Sequence, residues 1–140
     1  MRMETITESL DAAKQYYGRM LSDDSFYRRF YDNFLASSPV VRLKFAKTDL
    51  AQQRKLLRHG VNLMLMLSDN NIAGQYGMDR IRQSHGHGQL NITPELYGHW
   101  RTSFFKTLKE LDPEISSEVV TQWRRIVDRG IAHVKGGYQG

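Results

Sequence analysis

The chain has 140 residues and a formal net charge of +5. This length predicts a single domain over residues 1–140, which buries about two-thirds of the surface that an unfolded chain exposes. The absence of cysteine excludes a disulfide scaffold, thiolate metal sites and a cysteine nucleophile. The longest apolar stretch covers only residues 61–67, and the first residues lack an apolar core. We therefore expect no membrane span and no secretion signal, and a cytoplasmic location.

Positive charge is concentrated in residues 42–58. This segment holds six basic side chains against Asp49 alone, so its net charge equals that of the whole chain. Such a patch binds phosphate, nucleic acid or small carboxylates, or it is simply a solvated helix face. The sequence shows no nucleic-acid recognition motif and no exposed stacking aromatics, so we expect no nucleic-acid partner.

Apolar residues recur at spacings of three and four almost throughout, which predicts an all-α domain of six or seven helices. Capping residues and the three prolines suggest the boundaries. The first predicted helix runs from Thr5 to about Leu21, with Glu8 completing a capping box, and the second is capped by Asp23 or Asp24 and ends before Pro39. A turn over 39–45, a helix from Leu50 to about Leu67 capped by Asp49, and a loop over 68–77 follow. The last three predicted elements are a short helix from Met78 to about His85, a helix that starts at Thr93-Pro94-Glu95 and ends near Leu111, and a helix that starts at Asp112-Pro113-Glu114 and ends by Gly136.

Two predicted helices each place a polar group on an apolar face. In the helix after Asp49, Gln53 and Gly60 lie among leucines and methionines, and a buried amide left without a partner costs about 1–3 kcal/mol. Gln53 therefore bonds a neighbouring carbonyl at the rim of that face, or it meets a polar guest. In the second helix, an aromatic stripe typical of a core brings the Tyr31 hydroxyl inward. Tyr31 and Gln53 could meet around such a guest.

The short helix aligns Met78, Ile81 and His85 on one side. A lone histidine on an apolar face is usually a core residue, but this helix ends at once in glycines and carries Ser84 beside the imidazole. His85 can donate one ring proton to the Ile81 carbonyl, the arrangement that orients a metal-bound imidazole. One imidazole without cysteine partners is a poor zinc site, but it is sufficient as the protein ligand of haem iron.

Taken in chain order, these residues resemble a globin. An inward Tyr31, Pro39, Phe45, an inward Gln53 and His85 at the end of a short helix follow one another as they do in bacterial haemoglobins and in the haem domain of flavohaemoglobins. The runs Ile-Arg-Gln-Ser-His at 81–85 and Pro-Glu-Leu-Tyr at 94–97 are similar as well. The resemblance covers roughly residues 6–135. It implies a globin fold of six to eight helices around a pocket for haem b, iron protoporphyrin IX.

The resemblance also implies roles for individual residues. His85 is the iron ligand, and Phe45 stacks on the haem. Ser84 or a residue of the basic segment pairs with the haem propionates. The distal, ligand-binding side consists of Tyr31, Gln53 and Leu57, while the proximal side is packed by Ile81 and by Leu90 or Ile92, with Tyr97 supporting the histidine.

The sequence departs from the family pattern in three respects. Counting back from Pro94 selects His87 as the iron ligand, but His87 lies between two glycines and points away from Met78 and Ile81, so we prefer His85. A short segment after Phe45 admits Gln52 as the distal residue, but Gln52 falls at the edge of the apolar face. The acidic residue of the flavohaemoglobin proximal network has no clear match, which leaves peroxidase-like or fast dioxygenase chemistry unsupported.

The function implied is reversible binding of oxygen, or of carbon monoxide or nitric oxide, at a five-coordinate haem iron for storage, delivery or sensing. One alternative is a nitric oxide dioxygenase that works with a separate reductase, because the sequence shows no flavin or nicotinamide domain. Another is a haem-free globin-like signalling module. The expected protein partners are therefore a reductase, or a fused or associated signalling domain.

Overall fold

The computed structural model describes residues 9–85 and 92–136, and these residues confirm the all-α prediction. Within these two ranges there are helices and no strand. The elements are α1 Asp11–Tyr16, which continues as a π-helical segment over Tyr17–Leu21, α2 Asp24–Ala36, α3 Pro39–Lys44, α4 Leu50–Ser68, α5 Ile72–His85, α6 Pro94–Leu111 and α7 Ser117–Lys135. No helix in the described ranges is both long and apolar enough to cross a membrane. The predicted capping box at Thr5 and Glu8 lies outside the described residues.

Three predicted helix starts are confirmed. The Asp49 side chain caps α4 by accepting a hydrogen bond from the Gln52 N–H at 3.2 Å. Pro94 opens α6, where a missing N–H costs nothing because the first helical N–H groups have no intrahelical partner. Asp23 precedes α2 in an extended conformation. Short polar residues and proline thus set where these helices begin.

The turn predicted over residues 39–45 is wrong, because Pro39–Lys44 form helix α3. Ser38 caps it, with its side-chain oxygen accepting from the Val40 N–H at 3.1 Å. Pro39 occupies the first turn, where its fixed φ favours a helix. The proline that ends α2 therefore also starts the next helix.

The loop predicted over residues 68–77 is also wrong beyond its first residues, because α5 begins at Ile72. The Asn71 side chain accepts from the Ala73 N–H at 2.8 Å and from the Gly74 N–H at 3.3 Å, so it caps the helix. Two glycines, Gly74 and Gly77, argued for a loop, but they sit where α5 crosses α4 closely. Close packing between the helices outweighs the low helix propensity of glycine.

The last helix starts at Ser117 rather than at Asp112. Ser116 caps α7 by accepting from the Val119 N–H at 3.2 Å. Asp112 instead ends α6, and its carboxylate accepts a hydrogen bond from the Tyr16 hydroxyl at 3.1 Å. The Asp-Pro-Glu sequence thus closes one helix before the next begins.

Aromatic side chains of α2, α6 and α7 build the core. Phe104 of α6 lies at its centre, with ring centroids 5.3 Å from Phe26, 5.2 Å from Trp100 and 6.0 Å from Trp123. Trp123 is fully buried, and its indole N–H donates to the Ala13 carbonyl at 3.2 Å. This packing fixes α2 against α6, so Tyr31, further along α2, faces the space between α4 and α6.

The glycine at the α4–α5 crossing should be intolerant of substitution. A Cβ on Gly74 would lie 2.6 Å from the Met66 Cβ and 2.7 Å from the Leu67 backbone nitrogen. Gly74→Ala is therefore expected to lower the free energy of unfolding by about 1–3 kcal/mol, because backbone atoms cannot move aside cheaply. Gly98→Ala, in α6 with nothing within 4 Å of the new Cβ, should raise it by about 0.5–1 kcal/mol. Urea titration of both variants measures the difference, and equal effects would contradict the crossing geometry.

Candidate functional site

A cavity of about 620 Å³ lies between α2, α4, α5, α6 and α7. This volume is within the range typical of cofactor and small-molecule sites, about 300–1,000 Å³. Its walls are mostly apolar, with contributions from Phe34, Leu63, Met64, Met78, Leu96, Trp100, Ile131 and Val134. The fold thus leaves room for a large apolar guest in its interior.

The cavity brings together the residues that the sequence singled out. Those that line it are Tyr31, Phe45, Gln53, Leu57, Ile81, Ser84, His85 and Tyr97. Ile92 lines it as well, whereas Leu90 and His87 lie outside the described residues. Gln52 is exposed and is not part of the lining, which favours Gln53 as the inward amide.

Tyr31 and Gln53 form a hydrogen-bonded pair in the cavity. Burial disfavours the phenolate and raises the pKa of Tyr31 to about 12, while the hydrogen bond from the Gln53 side chain acts in the opposite direction. The Tyr31 hydroxyl therefore stays protonated at neutral pH and is able to donate a hydrogen bond within the cavity.

His85, at the end of α5, is a neutral imidazole at neutral pH. Burial lowers its pKa, and the hydrogen bond to the Ile81 carbonyl opposes that shift only in part. A neutral ring has one nitrogen without a proton, which is the form that binds a metal ion. The site thus holds an imidazole in its ligating state.

The surroundings of Ser84 assign the proton to one ring nitrogen. The Ser84 hydroxyl donates its only proton to the Ile81 carbonyl at 3.0 Å, and its oxygen lies 3.1 Å from Nδ1 of His85. The serine oxygen must then accept from Nδ1–H, so the lone pair of the ring is on Nε2. Nε2 has no hydrogen-bond partner among the described residues. The Ser84 hydroxyl oxygen and the Ile81 carbonyl oxygen thus orient the imidazole, as such oxygens do for histidines that bind metals.

Phe45, just after α3, closes one end of the cavity. Its ring lies 5.6 Å from Phe34 and 6.2 Å from Tyr31, with edge-to-face geometry in both cases. These contacts hold the aromatic face at the corner between α3 and α4. A flat aromatic guest would find a rigid surface there.

The mouth of the cavity is polar and positively charged. The exposed lining residues include Lys44, His59, Arg80 and Ser84, and none of the described residues that line the cavity is acidic. Sequence reasoning placed Lys44 in a basic segment but missed Arg80, which lies outside that segment on α5. It also missed Trp100, Ile131 and Val134, which only the packing of α6 and α7 brings to the cavity.

These residues fit a haem better than a bare metal ion. In the described part of the chain, no group of three or more His, Cys, Asp or Glu side chains is arranged to hold a metal. A single imidazole with a free Nε2, apolar walls and cations at the mouth match a porphyrin with one protein ligand and two carboxylates. Tyr97 also faces the cavity, and burial raises its pKa to about 12. Its hydroxyl has no partner among the described residues.

One solved structure is closely similar to this chain. It is the crystal structure of a protein from Pseudomonas aeruginosa PAO1, called structurally highly homologous to a human haemoglobin. The two chains are 35% identical with a TM-score of 0.83, and the match covers 93% of this chain and 98% of that one. No protein-family model and no curated protein matches the sequence.

Proposed function

This chain belongs to the globin family and has the globin fold that its sequence predicted, and we propose on that premise that it binds haem b through His85 and reversibly binds oxygen or another diatomic gas. The observation that carries the proposal is the pairing of two features in one cavity. A half-buried neutral imidazole on α5 shares the cavity with a hydrogen-bonded Tyr31–Gln53 pair from α2 and α4.

The side chains around the cavity would hold the porphyrin. When bound, haem supplies an iron atom with an open position for a gas ligand. Nε2 of His85 would ligate the iron, and Phe45 and Ile81 would contact the porphyrin ring. Lys44 and Arg80 at the mouth are suited to the two propionates, because each offers a positive charge beside an apolar wall.

On the distal side, Tyr31 and Gln53 would act on the gas ligand. The Tyr31 hydroxyl donates a hydrogen bond to a ligand that carries partial negative charge, and Gln53 keeps the phenol oriented. Leu57, one turn beyond Gln53, excludes water from the same space. In a dry pocket such a bond is stronger than in water, so it slows the release of bound oxygen, while the less polar carbon monoxide gains less from it. Slow oxygen release suits storage, delivery or sensing.

The test is an oxygen equilibrium on the haem-loaded, reduced protein. We expect its visible spectrum to change on exposure to oxygen and to return under argon over repeated cycles, with no substrate consumed. A protein that stays colourless after mixing with haemin would contradict the proposal. Rapid turnover of nitric oxide to nitrate with an added reductase would instead identify an enzyme.

A further inference from the structure

Two polar contacts join α5, the helix that carries His85, to the end of α7. Nε2 of His133 lies 2.6 Å from a carboxylate oxygen of Asp79, and the guanidinium of Arg82 donates to the Gly136 carbonyl at 3.1 Å. We call these four residues the α5–α7 clamp. A carboxylate only accepts hydrogen bonds, so Nε2 of His133 carries a proton and donates it to Asp79. Directional bonds thus connect α5 to α7.

The two contacts of the clamp lie in register along both helices. Asp79 and Arg82 are three residues apart in α5, and their partners are three residues apart in α7. The contacts are therefore about 4.5 Å apart along each helix axis, and residues at this spacing share one side of a helix. Two bonds at matching intervals oppose both sliding and rotation of α5 against α7, whereas one bond would leave rotation free.

The rest of α5 is held by packing that is less directional. Gly74 and Gly77 let the first half of the helix cross α4 closely, because a Cβ at either position would come within 2.6 Å of an α4 side chain. Past that crossing, the buried Met78 shares an apolar cluster with Val134 of α7. Apolar burial depends on area and not on direction, so it leaves more freedom in register than hydrogen bonds do. The clamp thus fixes the half of α5 that carries His85.

The part of α7 that carries the clamp also forms a wall of the cavity. Ile131 and Val134 line the cavity, and His133 lies between them in sequence and contacts α5. The His133 side chain is only 21% exposed, so its bond to Asp79 is partly shielded from water and stronger than a bond at an open surface. A change in the clamp therefore alters the position of α5 relative to the cavity wall.

We propose that Asp79 and His133 are positioning residues for His85. The α5–α7 clamp fixes the last turns of α5, so that Nε2 of His85 meets the haem iron at one distance and one tilt. Asp79 precedes His85 by six residues, about 9 Å of helix axis, so a displacement at the clamp moves the imidazole with it. Ser84 orients the ring relative to α5, whereas the clamp orients α5 relative to the cavity. The inference rests on the proposed function.

The test compares three variants of the haem-loaded, reduced protein. His133→Ala removes the bond to Asp79, whereas His133→Gln keeps a nitrogen donor for the carboxylate. Asp128→Ala is the matched control, because it breaks an ion pair of 2.6 Å with Arg101 that links α7 to α6 instead of α5. Resonance Raman spectroscopy reads the iron–imidazole stretching band, and transfer of haem to excess apomyoglobin gives the rate of haem loss.

His133→Ala should shift the stretching band and speed haem loss by about three- to tenfold. This effect is smaller than the 10–100-fold that is typical of groups bonded directly to a metal ligand, because the clamp acts through the helix. His133→Gln and Asp128→Ala should keep the band in place and change the rate of haem loss by less than about twofold.

A second variant on the other helix keeps the test independent of how well His133→Ala folds. Asp79→Ala should reproduce the shifted band, and the double variant should match either single one, because the same bond is lost in all three. An unchanged band in His133→Ala and Asp79→Ala, an equal shift in Asp128→Ala, or no rescue in His133→Gln would overturn the proposal. Failure of the unmodified protein to take up haem would instead contradict the proposed function.

Discussion

His85→Gly is expected to remove most of the bound haem. The substitution deletes an imidazole whose Nε2 has no partner among the described residues, and no other described side chain of α5 that lines the cavity has a nitrogen lone pair. Loss of a group that only orients a metal ligand costs about 10–100-fold in affinity, so loss of the ligand itself should cost at least about 100-fold. Haem content, read from the ratio of Soret to protein absorbance, measures the effect.

Two controls make this result specific. Imidazole added to His85→Gly should restore the Soret band, because it can occupy the space that the side chain leaves. His87→Ala tests the alternative ligand and should leave haem content unchanged. A reversed outcome, with pigment lost in His87→Ala and retained in His85→Gly, would transfer the ligand role to His87.

Tyr31→Phe is expected to speed oxygen dissociation by about five- to tenfold, which corresponds to the loss of one hydrogen bond of about 1–1.5 kcal/mol. Carbon monoxide dissociation should change less, because that ligand develops less charge. Stopped-flow mixing of the oxygenated protein with carbon monoxide gives the rate. Because the hydrogen bond with Gln53 orients the Tyr31 hydroxyl, Gln53→Leu should also speed oxygen dissociation.

Tyr27→Phe is the matched control for this effect. Tyr27 is buried one turn earlier on α2, and its hydroxyl donates to the Leu21 carbonyl at 2.6 Å outside the cavity. Its loss should reduce stability without changing oxygen release. If Tyr31→Phe and Tyr27→Phe gave the same dissociation rate as the unmodified protein, Tyr31 would not be the distal donor.

Helix faces were predictable from sequence because each rests on local periodicity. The aromatic stripe of α2 placed Tyr31 inward, the leucines of α4 placed Gln53 inward, and Ile81 and His85 share one side of α5. All four line one cavity, although a periodic pattern indicates only which side of a helix is buried and not what it faces. The chain order of these residues supplied the resemblance to a globin. The finer likeness to flavohaemoglobins stays a prediction.

The errors arose where packing between distant elements outweighs local preference. Gly74 and Gly77 indicated a loop, yet they are helical because α4 approaches too closely for a side chain. Pro39 indicated a turn, yet it opens α3. Arg80 and Ile131 reach the cavity only through the crossings of α5 and α7, which no short spacing in the sequence reveals. Non-local geometry of this kind requires the folded structure.

The most direct measurement is the visible absorption spectrum of the purified protein after reduction, before and after addition of carbon monoxide. The account predicts an intense Soret band, a five-coordinate high-spin ferrous spectrum and a sharp shift when carbon monoxide binds. A pigment-free protein that haemin does not colour would contradict haem binding altogether. A low-spin six-coordinate ferrous spectrum would contradict the open ligand position, and His59, which also lines the cavity, would be the first residue to replace.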